Sequence, residues 1–283
     1  MKQPSLAPVL SLLALFSILL ISCNSEPKKQ NPHKALVSSS SSSQTKASLA
    51  KPQKSPSIDT VQIPDERTAI GKVHLTGGVF HDGEVLGNIE QLSWLGLFKN
   101  NDGYYIRKTI LRTSRQKDEI MDDDNEISGW MVDADNKDFC QLLIKSMPEL
   151  KEAAVDTFVL KKDIIYPGES LSIETRSGTY RLSATGRITA QTADWKEIEN
   201  YKLYLESTVD GKSVKQLIAA IPRFNDTMLS ILWCGDLDLD GKPDFIIDTS
   251  YHYNMVSHSL YLSGKALKGK LLRYIGTFSI TGC

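Results

Sequence analysis

Through the C-terminal half of the chain, apolar and polar side chains alternate with a period of two, the spacing of a half-buried β-strand. Tyr180, Leu182 and Ala184 alternate with Arg181, Ser183 and Thr185. Tyr201, Leu203 and Leu205 alternate with Lys202, Tyr204 and Glu206. Asp210-Gly211 then supplies two residues that tolerate positive φ, the signature of a tight hairpin turn into a strand from Val214 to Ile221. Leu229 to Trp233 is apolar at successive positions, as in a central strand covered on both faces. Further strands are predicted at Phe245 to Ile247, Ser259 to Leu262 and Leu271 to Ile280, with Leu272, Tyr274, Phe278 and Ile280 on one face of the last. Short strands at this spacing predict a mainly β fold, an antiparallel meander or sandwich with few helices.

The N-terminal half is less regular. Gly71 to Phe80 and Trp94 to Ile110 carry strand-like patterns, with turns at Gly77-Gly78 and Asn101-Asp102-Gly103. From Phe139 to Val155 two readings stand. Leu142, Leu143, Met147 and Leu150 fit one helical face, but Pro148 interrupts it, and a strand from Gln141 to Lys145 followed by a turn fits as well. Pro167-Gly168 marks another turn, and the acidic run Asp118 to Glu126 reads as a mobile surface loop.

The start of the chain is built differently. After Lys2, residues Val9 to Ile21 are apolar apart from serines, too short for a comfortable span of about twenty residues and typical of a signal peptide. Leu20-Ile21-Ser22-Cys23 resembles the lipobox of bacterial lipoproteins. That resemblance implies cleavage after Ser22 and acylation, with palmitate-type chains, of Cys23, which anchors the chain to the membrane; several chains hold where one is marginal. Asn24, where Asp would stand in a retained lipoprotein of enteric type, points to the outer membrane of a bacterial cell envelope. Residues 23–63 then form a Ser/Lys/Pro-rich, disordered tether: Ser38 to Ser43 are all serine, prolines recur, and large apolar residues are sparse. The expected organisation is a signal peptide over 1–22, this tether over 23–63, an N-terminal β-rich region over 64–160 and a C-terminal antiparallel β region over 161–283. A formal net charge of −1 argues against a nucleic-acid partner.

The densest chemistry lies in Gly235-Asp236-Leu237-Asp238-Leu239-Asp240-Gly241-Lys242-Pro243-Asp244. Alternating carboxylates repel one another and disfavour both strand and helix. A hard divalent cation removes that conflict, because Ca²⁺ takes about six to eight oxygen ligands in a flexible shell. Asp236, Asp238, Asp240 and Asp244 offer carboxylates, Lys242 offers its carbonyl, and Gly241 permits the sharp turn. Position twelve of an EF-hand would fall on Ile247, not Glu, and a strand rather than a helix follows. The loop resembles the shorter D-x-D-x-D-G-x-x-D calcium loop of FG-GAP and integrin-type repeats. With Trp233, His252-Tyr253-Asn254, Leu260-Tyr261-Leu262-Ser263 and Gly282-Cys283, it is similar to the C-terminal part of bacterial lipoproteins that carry a solitary FG-GAP/VCBS-like loop. The resemblance implies a structural Ca²⁺ and no particular activity. The loop occurs once, so a propeller is not implied.

Other candidates are weaker. His252 and His258 with Asp248 match no standard zinc spacing, and the parity of His258 with Leu260 and Leu262 suggests a hydrogen-bonded histidine of the core or a sheet edge. Trp94, Trp130 and Trp195 have the chemistry to stack on sugars or face a partner, though such residues are more often core. Cys140, Cys234 and Cys283 leave the disulfide pairing open. No nucleophile elbow, zincin motif or phosphate loop is present. The reading is a calcium-stabilised envelope module that binds a protein or glycan or serves structure; a calcium-dependent envelope hydrolase is the alternative.

Overall fold

The computed structural model describes residues 60–193 and 195–282, all within one compact unit, Gln53–Cys283. The signal peptide, Cys23, all but the last few residues of the tether, and Cys283 lie outside the described residues. In chain order the first strands are β1 Val73–His74, β2 Val79–Phe80, β3 Trp94–Asn100, β4 Gly103–Thr109, β5 Leu111–Gln116, β6 Gly129–Ala134, β7 Phe139–Lys145 and β8 Ala153–Val155. The rest are β9 Ser170–Thr175, β10 Gly178–Gln191, β11 Lys196–Val209, β12 Lys212–Arg223, β13 Ser230–Gly235, β14 Asp244–Asp248, β15 Met255–Leu262 and β16 Arg273–Thr281. Helix among the described residues is limited to single 3-10 turns at Glu66–Thr68 and Ile89–Gln91. The fold is mainly β and its strand ladders are antiparallel, as the alternation predicts.

The strands form four sheets, ordered β1-β7-β3-β4-β8, β2-β6-β5, β12-β11-β10-β9 and β13-β14-β15-β16. Turn chemistry sets the local pairings. Asp210 and Gly211 have φ of 50° and 74° and close the β11–β12 hairpin, as expected. Asn101-Asp102 closes β3–β4. Gly168 adopts φ of 87° in the Tyr166–Glu169 turn. In the segment with two readings, strand wins: Leu142, Leu143 and Ile144 of β7 are fully buried between β1 and β3. The acidic run 118–126 is a loop whose carboxylates cap its own amides. Asp118 accepts from Ile120 and Met121, and Asp122 accepts from Asp118 and Ser128.

The sheet β13–β16 is the middle layer. Ile231, Cys234, Phe245, Ile247, Tyr261 and Tyr274 pack with the inner face of β9–β12. Trp233, Ile246, Leu260, Leu262, Ile275 and Phe278 pack with the two N-terminal sheets. Two sequence expectations are corrected by this layer. Leu229 to Trp233 reads as a central strand, yet β13 is at the sheet edge; its side chains are apolar on both faces because the whole sheet is covered on both faces. Its open edge is met by residues 156–163, through Asp236 N–H to Asp156 O at 2.9 Å, Phe158 N–H to Cys234 O at 2.9 Å and Ile231 N–H to Asp163 O at 2.9 Å. Second, Leu272 and Tyr274 do not share a face with Phe278 and Ile280. The β15–β16 register slips between Leu260 and Tyr261, so Ile275 is an extra residue and the parity of β16 inverts there.

His74 sits where the outer and middle layers meet. It is 1% exposed, its Nδ1 lies 2.6 Å from Leu75 O, and its ring centroid is 4.1 Å from that of Phe278. Nε2 has no partner among the described residues. Burial holds its pKa below the ordinary value of 6.5, so the unfolded chain takes up the proton first as pH falls. The stability from the neutral ring is complete above about pH 6.5 and is lost as pH falls below it. The His74 contribution is read as the difference in thermal midpoint, followed by circular dichroism, between the parent and His74→Gln. The parent is expected to lose ground relative to the variant between pH 7.5 and 5.5, at about 2–4 °C per kcal/mol for a protein of this size.

Candidate metal centre

The loop between β13 and β14 is fixed at both ends before any carboxylate is considered. Gly235 passes so close to residue 156 that a Cβ there would lie 2.4 Å from Asp156 O. Leu237 is fully buried and anchors the loop in the core shared with the N-terminal sheets. Leu239 points to solvent with φ of 63°, a left-handed conformation that costs a side-chain-bearing residue roughly 1–2 kcal/mol. Gly241 follows with φ of 82°, where glycine is free of that cost. One leucine is thus buried and one exposed, and Asp238 between them joins Asp236 and Asp244.

Asp244 is completely buried at the start of β14. Its Oδ2 accepts the amides of Leu237 at 2.7 Å and Asp238 at 3.2 Å; its Oδ1 accepts the Ser263 amide at 2.6 Å and hydroxyl at 2.9 Å. Asp236 accepts the amides of Asp240 and Gly241, each at 2.9 Å. Asp238 Oδ2 accepts the Gly264 amide at 3.0 Å, while its Oδ1 is buried with no partner among the described residues. Asp236, Asp238 and Asp244 each bring a carboxylate oxygen within 4.8 Å of the other two, and form the one such cluster of potential metal ligands among the described residues. Asp240 is not part of it. Its Oδ1 accepts the Lys242 amide at 2.9 Å and the Ser263 hydroxyl at 3.0 Å, and its Oδ2 meets the Lys242 ammonium at 2.7 Å.

Three carboxylates so close, with little water, resist ionisation. Burial and then the charge of Asp238 push Asp244 well above the usual carboxylate range. Burial and then Asp240 push Asp238 up to about 6. Asp236 is raised mainly by burial. A cation among them reverses each of these effects. The donor set is all oxygen, which suits a hard divalent ion, and the unpartnered Asp238 Oδ1 is a coordination position left over by the protein's own hydrogen bonds.

Two residues of this site were not predicted as part of it. Ser263 braces both Asp240 and Asp244, and Gly264 approaches so closely that a Cβ would lie 2.6 Å from Asp238 Oδ2. The sequence signal is slight, a Ser-Gly pair directly after the apolar strand end Leu260-Tyr261-Leu262.

The remaining candidates disperse. His252 Nδ1 pairs with Asn254 Oδ1. His258 lies on an inner strand opposite Asp248, and its Nδ1 is buried without a partner among the described residues, so the expected hydrogen-bonded histidine is not found at that nitrogen. Trp94 is core, its indole N–H donating to Ile89 O. Cys140 and Cys234 are unpaired among the described residues; burial pushes the Cys140 thiol up to about 11 and Cys234 well above the ordinary thiol value, so neither is poised as a nucleophile.

Ser263→Ala removes the hydroxyl that donates to two carboxylates, one of them fully buried. Urea unfolding is expected to show a loss of about 1–3 kcal/mol, the range for leaving a buried polar group short of a partner.

No protein-family model, no curated protein and no solved structure matches this chain, so the functional reading rests on the site itself.

Proposed function

We propose that this chain is a lipid-anchored protein of the bacterial cell envelope whose β module is fastened by a structural Ca²⁺, and that the module binds or supports other envelope components. The observation that carries the metal is the buried, unpartnered Oδ1 of Asp238, a residue whose carboxylate lies within 4.8 Å of those of Asp236 and Asp244. These three carboxylates are the core of the proposed shell; the pattern of the loop adds Asp240 and the Lys242 carbonyl. The resemblance of Asp236 to Asp244 to a solitary FG-GAP/VCBS-like loop points the same way. The anchor rests on the Leu20-Ile21-Ser22-Cys23 lipobox, and Asn24 favours the outer membrane.

The position of the cluster argues for a clamp. Its ligands span the β13–β14 connection, and Ser263 and Gly264 tie them to the end of β15. An ion here joins two corners of the middle sheet and offsets the repulsion that folding imposes. Extracellular modules work with calcium sites of about 10⁻⁴–10⁻³ M, and such a site suits a permanent fastening better than a sensor.

Calcium is expected to raise the thermal midpoint relative to chelated protein. A concentration of about 100 times Kd contributes about 2.7 kcal/mol. Asp238→Ala is expected to remove that increment. Superimposable melting curves with calcium and with chelator would sink the metal assignment. For the anchor, Cys23→Ser is expected to abolish labelling by radioactive palmitate and to move the protein from the membrane to the soluble fraction of its host; unchanged labelling would exclude Cys23 as the acylated residue.

A further inference from the structure

A cleft of about 330 Å³ opens between the segment 82–91 and the face of β5–β6 that carries Thr113 and Trp130. Its walls are held before any ligand arrives. Arg115, directly across the ladder from Trp130, stacks on the indole with its Cζ 3.9 Å from the ring centroid. Asp82 Oδ1 accepts both the Arg115 guanidinium at 2.8 Å and the Trp130 indole N–H at 2.9 Å. On the opposite wall, Glu90 Oε1 accepts the amide and hydroxyl of Thr113. Ile89, next to it, is buried, and its carbonyl is held by Trp94. The 3-10 turn that carries Glu90 and Gln91 is thereby seated on the core.

We propose that this cleft is a binding site for a neutral carbohydrate, with a pyranose ring against Trp130 and its hydroxyls on Glu90, Asn88 and Gln91. A sugar ring is amphipathic: its axial C–H bonds form an apolar face and its hydroxyls project around the rim. The cleft has the complementary arrangement, an indole beside apolar Val85 and Leu86, with a carboxylate and two side-chain amides around it. Hydroxyl donors to an ionised carboxylate make short, charge-assisted bonds. The Thr113 bonds hold Glu90 below the usual carboxylate range, so it is an acceptor at neutral pH. Arg115 pairs with Asp82, and the lining of the cleft holds two carboxylates and no basic side chain, which disfavours phosphorylated and uronic sugars. The volume lies at the small end of ligand sites, about 300–1,000 Å³, and suits one or two rings. The fixed Trp130–Arg115–Asp82 cluster limits the ordering cost of binding. No residue of the cleft belongs to the carboxylate loop, so this site stands or falls independently of the calcium reading.

The test is isothermal titration of the detergent-solubilised full chain, in calcium, with cellotetraose and with tetra-N-acetylchitotetraose. Tetragalacturonate and spermidine serve as anionic and cationic controls. The expected result is saturable binding of at least one neutral tetrasaccharide, weakened about tenfold or more by Trp130→Ala and severalfold by Glu90→Gln, in line with the dominance of a few anchoring side chains. Gln91→Ala, at an exposed rim position, is expected to weaken binding about threefold with an unchanged thermal midpoint, and with Glu90→Gln it decides the matter if Trp130→Ala does not fold. The proposal is overturned if neither neutral probe binds up to about 10 mM, if Glu90→Gln and Gln91→Ala bind as tightly as the parent, or if either charged control binds in preference.

Discussion

A sheet buried on both faces leaves its polar chain only the rims. The middle layer β13–β16 is in that position, and the rest of the architecture is arranged around it. Its faces are satisfied by apolar packing against the outer sheets, and its β13 edge by the 156–163 segment. At the β13–β14 corner, the backbone amides of the turn are met by aspartate side chains. Using carboxylates for this purpose introduces the charge repulsion that makes the corner chemically distinctive. The acidic loop thus satisfies the backbone of its own turn, and a metal is one way of completing it.

Much of this was legible in the residues. Period-two patterning placed β10 and β11 on their correct faces because the patterned part of each strand has one covered and one more open side, the condition under which alternation carries information. The Asp210-Gly211 turn was legible because only a few residue types accept two successive positive φ angles. The same logic failed where both faces are buried. β13 shows continuous apolarity whether it is central or at an edge, and the inversion of β16 at Ile275 arises from a one-residue slip that no pattern announces. β7 was ambiguous for a related reason: three successive buried aliphatics fit a helix or a doubly covered strand equally well.

The loop was readable by ligand type, but its completion was not. Ser263 and Gly264 are distant in sequence from Asp244 and Asp238 and reach them only because β14 and β15 pair. The bond from Ser263 to Asp240 depends on the same contact. The cleft at Trp130 was equally hidden. Its walls come from three separated stretches, and only the fold distinguishes Trp130, half-exposed on a clamped face, from Trp94 in the core. Spacing reports chemistry within a loop, while chemistry assembled across strands requires the register.

The order of the layers along the chain has a consequence for assembly. The two N-terminal sheets and the β9–β12 sheet are complete by Arg223, yet both rest on a layer whose first strand begins at Ser230. A ribosome therefore releases the two outer leaves before the page between them. Until β13–β16 emerge, two apolar surfaces have no proper covering and are free to meet each other or a neighbouring chain, the usual origin of trapped intermediates in β-proteins. Insertion of the last meander is then the committing event, and it converts two provisional halves into one cooperative body. A truncation within β13–β16 would for that reason damage the whole molecule, where loss of an outer strand in most sandwiches frays one edge.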